Sequence, residues 1–278
     1  MIYDKNGTSL NDVAYDIEGT LLNQAYDIDG NELFNDNTLT VMTYNVQWFS
    51  HINSNQTMQE SIFDTYDADI IGLQELTKTS STMPSLGETL FADYTYQAIG
   101  GQTNKTGIVS KIELSNTTTA NFVRQASETR GYQKTYITVN GTPICWVNTH
   151  LETSGSESVK VAQAQEVFNL VQNEPCFIIT GDFNTVCKST SDTEYTTIMK
   201  QFVDAGYNCA NCTEQHGFLD TWTDGSTASG TWYPCDHIIT SSNIDINTVI
   251  VDTTKIDVAS QTGQSIDHLP LIAYLTIN

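Results

Sequence analysis

The alternation of hydrophobic and polar positions from residue 39 onward predicts short strands with a few helices between them. Residues 39–44 alternate as a half-buried strand does, and residues 157–172 carry an apolar face at helical spacing. Two longer strands, 132–139 and 144–149, flank Asn140-Gly141, which is typical of a type I′ hairpin turn. Further strands are predicted at 69–73, 94–99, 107–110, 176–180, 237–240, 248–251 and 271–277, and further helices at 56–66 and 193–205. Strand pairs followed by single helices indicate an α/β fold of two packed sheets with helices outside.

The first 38 residues have a different pattern, a short repeat built on Tyr-Asp and Gly. The repeat occurs as Tyr3-Asp4-Lys5-Asn6-Gly7, Tyr15-Asp16-Ile17-Glu18-Gly19 and Tyr26-Asp27-Ile28-Asp29-Gly30. Each unit is typical of a short strand, a tight turn and a second short strand. Three such units cannot bury a core by themselves. We therefore predict a separate β-repeat segment at 1–38, used for attachment or docking, and a domain at 39–278.

The repeats also bear on where the protein is found. They resemble repeats of some phage tail and bacterial surface proteins, which predicts an extracellular, cell-surface or virion-associated location on a larger assembly. The chain begins without a basic stretch followed by an apolar run, so no signal peptide is predicted. It also has no run of 18 apolar residues, so no transmembrane segment is predicted.

The charge balance narrows the class of function. The 278 residues include 33 acidic side chains against 11 Lys and Arg, a formal net charge of −22. An acidic surface repels phosphate backbones, so the charge disfavours a passive nucleic-acid-binding module. An enzyme that carries a metal remains compatible with this charge, because bound cations reverse the field around them.

Polar residues gather where the predicted strands begin or end. Acidic, amide or imidazole side chains occur at six such positions, namely Tyr44-Asn45, Gln74-Glu75, Asn148-Thr149-His150, Gly181-Asp182-Phe183-Asn184, Asp236-His237 and Asp267-His268. Such a distribution predicts one polar site at one edge of the sheets. Carboxylate and amide oxygens suit Mg²⁺, and a histidine next to an aspartate suits proton transfer. The combination points to phosphoester hydrolysis.

The order of these motifs resembles the endonuclease/exonuclease/phosphatase superfamily, and in particular its deoxyribonuclease I-like members. The resemblance covers residues 39–278, and Gly181-Asp182-Phe183-Asn184 and Asp267-His268 are its most specific parts. It implies a four-layer α/β/β/α sandwich of two packed mixed sheets. It also implies a phosphodiester hydrolase that depends on Mg²⁺, with Mn²⁺ or Ca²⁺ as alternatives.

The resemblance further implies roles for individual residues. Glu75 would be the main metal ligand, supported by Asn45 and Asp267. Arg130 stands before a hairpin strand, where members of the family often place an arginine that binds the phosphate.

A second group would carry the chemistry. Asp182 and Asn184 would position the attacking water and the phosphate. His268 would act as the general base or polarise the phosphate. His150 would be the second imidazole and would protonate the leaving oxygen or hold the phosphate, while Asp236 would orient one of the two histidines.

The six cysteines allow several states. The spacing of Cys209 and Cys212 is compatible with a small disulfide, with free thiols, or with zinc binding together with His216. Cys145 and Cys176 lie in predicted buried strands, which favours free thiols. Resemblance to pancreatic-type deoxyribonucleases implies a disulfide between Cys187 and Cys235.

The substrate is the least determined property. A deoxyribonuclease-like endonuclease with DNA as its substrate is the main prediction. However, Gln47 and Thr77 stand where such enzymes carry arginines for the minor groove. The alternatives are a lipid or small-molecule phosphodiesterase or phosphatase, similar to sphingomyelinases or phosphoinositide phosphatases. A binding or structural module on the same scaffold is the non-enzymatic alternative.

Overall fold

The computed structural model describes residues 2–3, 9–10, 37–46, 62–76, 93–99, 105–153, 157–223, 231–253 and 267–278. The chain divides into two compact units, Met1–Thr38 and Leu39–Asn278. In the first unit, strands β1 (Ile2–Tyr3) and β2 (Ser9–Leu10) pair antiparallel. The second and third Tyr-Asp repeats lie outside the described residues, so the docking role of the segment stays a prediction.

The second unit is built mainly from strands. In chain order they are β3 (Thr38–Asn45), β4 (Ile70–Gln74), β5 (Tyr96–Ile99), β6 (Gly107–Ser110), β7 (Ser115–Asn121), β8 (Gly131–Val139), β9 (Thr142–His150), β10 (Phe177–Asp182), β11 (Asn208–Cys209), β12 (Trp222–Thr223), β13 (Trp232–Tyr233), β14 (Asp236–Thr240), β15 (Ile244–Val251) and β16 (Leu271–Ile277). The helices are α1 (Glu157–Val171), a π-helical turn (Tyr195–Met199) and α2 (Lys200–Asp204), and residues 62–66 are also helical. No helix in the described part of the chain is long and apolar enough to cross a membrane.

These strands form two six-stranded mixed sheets. The first sheet has the order β15-β16-β3-β4-β6-β5, with β3 and β4 parallel and β4 antiparallel to β6. The second has the order β11-β14-β10-β9-β8-β7, with β9 and β10 parallel and β10 antiparallel to β14. The predicted hairpin is confirmed, since β8 and β9 pair antiparallel around Asn140 and Gly141, both at positive φ.

The central strands are almost continuous apolar runs because they are buried on both faces of their sheets. One cluster of buried side chains contains residues of both sheets, such as Val41, Ile70 and Ile178, and therefore lies between them. Because successive side chains of a strand point to opposite faces, the next residue along each strand faces outward. Each outer face is covered in turn. The outer cluster of the first sheet includes Phe63 of the helical residues 62–66, and that of the second includes Val167 of α1. The four-layer α/β/β/α sandwich is thereby confirmed.

A buried polar network crosses the space between the sheets. Asn148 on β9 donates through Nδ2 to the carbonyls of Leu73 (2.9 Å) and Gly107 (2.8 Å) in the opposite sheet. Its Oδ1 accepts from Gln74 Nε2 (2.8 Å) and from Thr180 Oγ1 (3.1 Å). The side-chain amide of Asn148 thus has partners on both of its atoms, and it fixes how the two sheets are docked.

Replacement of Gly72 by alanine is expected to weaken this docking. A Cβ at Gly72 would lie 2.2 Å from Thr180 Oγ1 and 2.5 Å from Asn148 Oδ1, and neither group can withdraw without losing buried hydrogen bonds. We expect the free energy of unfolding to fall by about 3 kcal/mol. The matched control is Gly141→Ala, at a positive φ with nothing within 4 Å of the added Cβ. There we expect a loss of about 1 kcal/mol. Urea titration measures both variants, and equal losses would contradict the steric argument.

Candidate active site

The register of the second sheet places three of the candidate residues side by side. In the parallel pair β9 and β10, His150 lies opposite Asp182, and in the antiparallel pair β10 and β14, Asp182 lies opposite Asp236. All three side chains are fully or almost fully buried. The end of β10 is thus the centre of a row of three polar side chains, His150, Asp182 and Asp236, that lie next to one another across β9, β10 and β14.

The first sheet contributes from the corresponding end of β3. Asn45 is the last residue of β3, and its Nδ2 donates to Asp182 Oδ2 over 3.0 Å. Asn45 is also opposite Gln74 in the parallel pair β3 and β4, so Glu75 follows directly beside it. Glu75 is half-buried and has a φ of +55°, which ends the strand at this point. The site is therefore shared by both sheets.

Asp182 is the group on which the other side chains converge. Its Oδ2 lies 3.2 Å from His150 Nε2 and 3.4 Å from His268 Nε2, and its Oδ1 accepts from the backbone N–H of Asn184 over 2.8 Å. Burial by itself would raise the pKa of Asp182. The charge of His268, the contact with His150 and the amide of Asn45 outweigh burial and hold the pKa well below its usual range. Asp182 is consequently an ionised carboxylate.

His268 is held between two carboxylates. Its Nδ1 lies 2.9 Å from Asp236 Oδ2, and its Nε2 faces Asp182. Burial would lower the pKa of His268, but the charges of Asp236 and Asp182 outweigh burial and raise it to about 10. Asp236 is anchored in turn by its backbone N–H, which donates to Thr221 Oγ1 over 3.0 Å. Asp236 and Asp182 therefore fix the orientation of the His268 imidazole between them.

His150 faces Asp182 through Nε2, and its Nδ1 has a cationic neighbour. Arg130 Nη1 lies 2.8 Å from His150 Nδ1, and Arg130 Nη2 lies 3.2 Å from Glu128 Oε2. Arg130 is buried, so it belongs to the site rather than to the solvated surface.

The local structure of Gly181-Asp182-Phe183-Asn184 accounts for its residue types. A Cβ at Gly181 would lie 2.6 Å from the carbonyl oxygen of Thr149, so only glycine fits there. Phe183 is buried in the outer core of the second sheet. Asn184 has a φ of +50°, and its Nδ2 donates to the carbonyl of Leu151 over 2.9 Å. These contacts aim Asp182 and Asn184 at the sheet edge.

The chemistry of the donor groups fits a hard divalent cation. The carboxylates of Glu75 and Asp267 and the amide oxygen of Asn45 are ligands that Mg²⁺ accepts. Asp267 Oδ1 is buried and has no hydrogen-bond partner among the residues that the structure describes, which is costly for a carboxylate unless another group satisfies it. A second group, Asp182, Asp236 and His268, has ligand atoms within 4.8 Å of one another.

Some residues that support the site were not found from the sequence. Thr221 Oγ1 accepts a hydrogen bond from the backbone N–H of Asp236. Lys160 on α1 donates through Nζ to the carbonyl of Asn184 over 2.9 Å. Neither residue belongs to a motif, because a hydroxyl in a loop and a lysine in an amphipathic helix carry no local signal of such a contact. Trp222 of β12 was also missed, and its ring lies 6.5 Å from that of His268.

The aromatic residues of β12 and β13 form a small half-exposed surface next to His268. The rings of Trp222 and Tyr233 are 5.7 Å apart, and Lys188 Nζ lies 4.6 Å above the centre of the Tyr233 ring. Gln47 and Thr77, which stand where related deoxyribonucleases carry arginines for the minor groove, lie outside the described residues.

The cysteines correct one prediction and confirm another. Cys209 and Cys212 form a disulfide with an S–S distance of 2.07 Å, so their sulfurs are joined to each other rather than available to zinc. The Cys187–Cys235 disulfide implied by the resemblance is wrong. Both cysteines are free and buried, and the Cys235 thiol donates to the carbonyl of Thr185 over 2.8 Å. Cys145 and Cys176 are free and buried as predicted.

Comparison with known proteins agrees with this architecture. The model of the Endonuclease/Exonuclease/phosphatase family matches residues 42–256. A structure of TDP2 from D. rerio complexed with a single-strand DNA product has a TM-score of 0.68 and 17% identity, over 86% of this chain and 99% of that one. An endonuclease/exonuclease/phosphatase from Bacteroides vulgatus has a TM-score of 0.68 and 16% identity, over 87% and 99%. Beta toxin from Staphylococcus aureus has a TM-score of 0.62 and 17% identity, over 85% and 99%. No curated protein matches the sequence.

Proposed function

Because the chain belongs to the Endonuclease/Exonuclease/phosphatase family, whose members typically hydrolyse phosphoesters, we propose that it is a Mg²⁺-dependent phosphodiesterase that cleaves DNA. One observation carries the proposal. Asn45, His150, Asp236 and His268 all converge on or beside the ionised carboxylate of Asp182, and no apolar core requires them there. A structural module would not retain this many buried polar groups at the edge of its sheets.

The metal-binding role falls to Glu75, Asn45 and Asp267. These residues would hold the cation, which supplies charge neutralisation for the phosphate and the leaving oxygen when bound. Glu75 has a left-handed backbone with a φ of +55°, directly after the last residue of β4. Mn²⁺ and Ca²⁺ are the alternative ions, since both accept the same oxygen ligands.

The proton-transfer role falls to the row on the second sheet. Asp236 accepts the Nδ1–H of His268 and so directs Nε2 toward Asp182. Because the pKa of His268 is raised to about 10, its ring is protonated near neutral pH and donates through Nε2 to a phosphate oxygen, whereas the deprotonated ring at higher pH accepts a proton from the attacking water. Asp182 and Asn184 orient the water and the phosphate between them. His150 also faces Asp182 Oδ2 through Nε2, and Arg130 contacts the other ring nitrogen of His150.

Two observations favour a nucleic acid as the substrate. The fold is similar to that of TDP2, which was crystallised with a single-strand DNA product. In this chain, the half-exposed Trp222 ring lies 6.5 Å from the His268 ring, Tyr233 packs beside Trp222, and Lys188 Nζ lies over the Tyr233 ring. An unstacked base and its phosphate would pack on this surface. The net charge of −22 disfavours a long contact with duplex DNA, so we expect a short footprint.

A plasmid assay tests the proposal. We expect the protein to nick supercoiled plasmid in the presence of Mg²⁺, to stop in EDTA, and to recover when Mg²⁺ is restored in excess. Sphingomyelin and phosphoinositide vesicles are assayed in parallel. Release of a headgroup or of inorganic phosphate without nicking would reject DNA and support a lipid phosphoesterase. Hydrolysis of none of these substrates, at any concentration of Mg²⁺, Mn²⁺ or Ca²⁺, would contradict the enzymatic function.

We also propose that residues 1–38 attach the enzyme to a larger extracellular, surface or virion-associated assembly. The support is the Tyr-Asp repeat, together with the separation of Met1–Thr38 from Leu39–Asn278 as compact units. Mass photometry of the full chain beside residues 38–278 tests the proposal. Retention of an assembly or partner by the full chain alone is the expected result, and identical masses would count against it.

A further inference from the structure

The contact between Arg130 and His150 determines where the proton of His150 resides. Arg130 Nη1 lies 2.8 Å from His150 Nδ1, and both side chains are buried. A guanidinium group has five N–H donors and no acceptor, and it keeps its proton under all ordinary conditions. Hydrogen bonding at this distance therefore requires His150 Nδ1 to be the acceptor and to carry no hydrogen. The proton of a neutral imidazole then resides on Nε2.

The other nitrogen of His150 agrees with that assignment. His150 Nε2 lies 3.2 Å from Asp182 Oδ2, and Asp182 is an ionised carboxylate that can only accept. A proton on Nε2 therefore faces an anionic oxygen, although Nε2 makes no hydrogen bond of good geometry with any described residue, whereas a bare Nε2 would turn its lone pair toward negative charge. A doubly protonated ring is disfavoured, because its Nδ1–H would point at an N–H of the Arg130 guanidinium and two donors would face each other.

The backbone around Arg130 holds the guanidinium in this position. Arg130 donates its backbone N–H to Gln125 Oε1 over 2.8 Å, and its carbonyl accepts from Gln125 Nε2 over 2.8 Å and from the backbone of Phe122 over 3.0 Å. Glu128 Oε2 lies 3.2 Å from Arg130 Nη2 and balances its charge. In the antiparallel pair β8 and β9, the residue after Arg130 lies opposite His150, which brings the two side chains together.

We propose that Arg130 is a positioning residue that fixes His150 as the neutral tautomer with its proton on Nε2. Its catalytic consequence rests on the proposed function. His150 would then hold a phosphate oxygen as a hydrogen-bond donor and would keep its proton throughout, rather than deliver it to the leaving oxygen. Arg130 would act through His150, instead of only contacting the phosphate as the sequence suggests.

Nitrogen NMR of the imidazole rings tests the proposal without reference to activity. The full chain is labelled with ¹⁵N-histidine, and long-range ¹H–¹⁵N spectra are recorded at neutral pH. The His150 signals are assigned by their loss in His150→Gln. We expect an unprotonated Nδ1 and a protonated Nε2. A protonated Nδ1, alone or together with Nε2, would overturn the proposal, and the measurement needs the wild-type protein and, for the assignment, a folded His150→Gln variant.

Two Arg130 variants separate positioning from general structural support. In Arg130→Met we expect both tautomers of His150 and a fall in kcat of about 10-fold to 100-fold, with KM less affected. Arg130→Lys retains a donor without an acceptor, so we expect the Nε2–H tautomer and part of the activity to return. An unchanged tautomer in a folded Arg130→Met variant would also overturn the proposal. If the wild-type spectrum is as expected but no phosphoester is hydrolysed, the tautomer is supported and the proposed function fails.

Discussion

Replacing His268 with alanine is expected to lower kcat by about 10²-fold to 10⁴-fold, the range typical for the loss of a positioned acid or base. The reason is geometric, because His268 places its Nδ1 2.9 Å from Asp236 and its Nε2 3.4 Å from Asp182. No water in the resulting space would have the same proton affinity or orientation. The measurement is the single-turnover rate on whichever phosphoester the wild-type protein cleaves.

Two further variants make the His268 result interpretable. His216→Ala is the matched control, since His216 is partly exposed and, among the described residues, contacts Thr213 rather than the cluster around Asp182, and we expect wild-type activity. The alanine at 268 leaves two buried carboxylates facing each other, which costs stability. His268→Gln keeps an N–H donor toward Asp236 and should fold more readily, with the same loss of rate. Wild-type activity in either folded variant at 268 would reject the assignment of this histidine.

Replacing Glu75 with glutamine is expected to reduce kcat/KM by about 10³-fold at a fixed Mg²⁺ concentration, equivalent to about 4 kcal/mol. The change removes one negative charge and leaves the volume of the side chain almost unchanged. Because the backbone of Glu75 already has a φ of +55°, both residues meet the same conformational demand. We also expect the Mg²⁺ concentration for half-maximal activity to rise, which separates a metal ligand from a group that contacts only the substrate.

The control for Glu75 is chosen for chemistry and exposure. Glu113 is exposed between β6 and β7, three residues after Ser110. Ser110 pairs with Ile70, at the opposite end of β4 from Gln74, so Glu113→Gln removes the same charge away from the end of β4 that precedes Glu75. We expect its activity and its Mg²⁺ requirement to equal those of the wild type. An unchanged Mg²⁺ requirement in Glu75→Gln, with activity retained, would remove Glu75 from the metal site.

Much of the fold follows from local pattern because its strands are buried on both faces. The residues 176–180 and 237–240 are apolar runs with polar residues directly beside them, and the structure makes them neighbouring strands with Asp182 opposite Asp236. The placement of the candidate residues at strand ends is likewise visible in sequence, because apolar runs end where the chain reaches the sheet edge.

Other features depend on contacts that sequence patterns do not encode. Strand β7 (Ser115–Asn121) is almost entirely exposed and consists of Ser, Thr, Asn and Ala, so it lacks an apolar alternation that would predict it. The contact from Asn45 to Asp182 spans 137 positions, and only the docking of the two sheets creates it. The expected Cys187–Cys235 disulfide failed for a related reason, since similar sequence positions did not fix the direction of the Cys235 thiol, which turns toward Thr185.

The amide of Asn148 has a consequence for how activity arises during folding. Its partners Leu73 and Gly107 are in the first sheet, whereas Asn148 and Thr180 are in the second. An intermediate in which each sheet has formed on its own would therefore have its full secondary structure but neither this amide network nor the Asn45–Asp182 hydrogen bond. Catalytic competence and the last step of sheet association are thus a single event, so the recovery of enzymatic rate after refolding would report tertiary docking rather than strand formation.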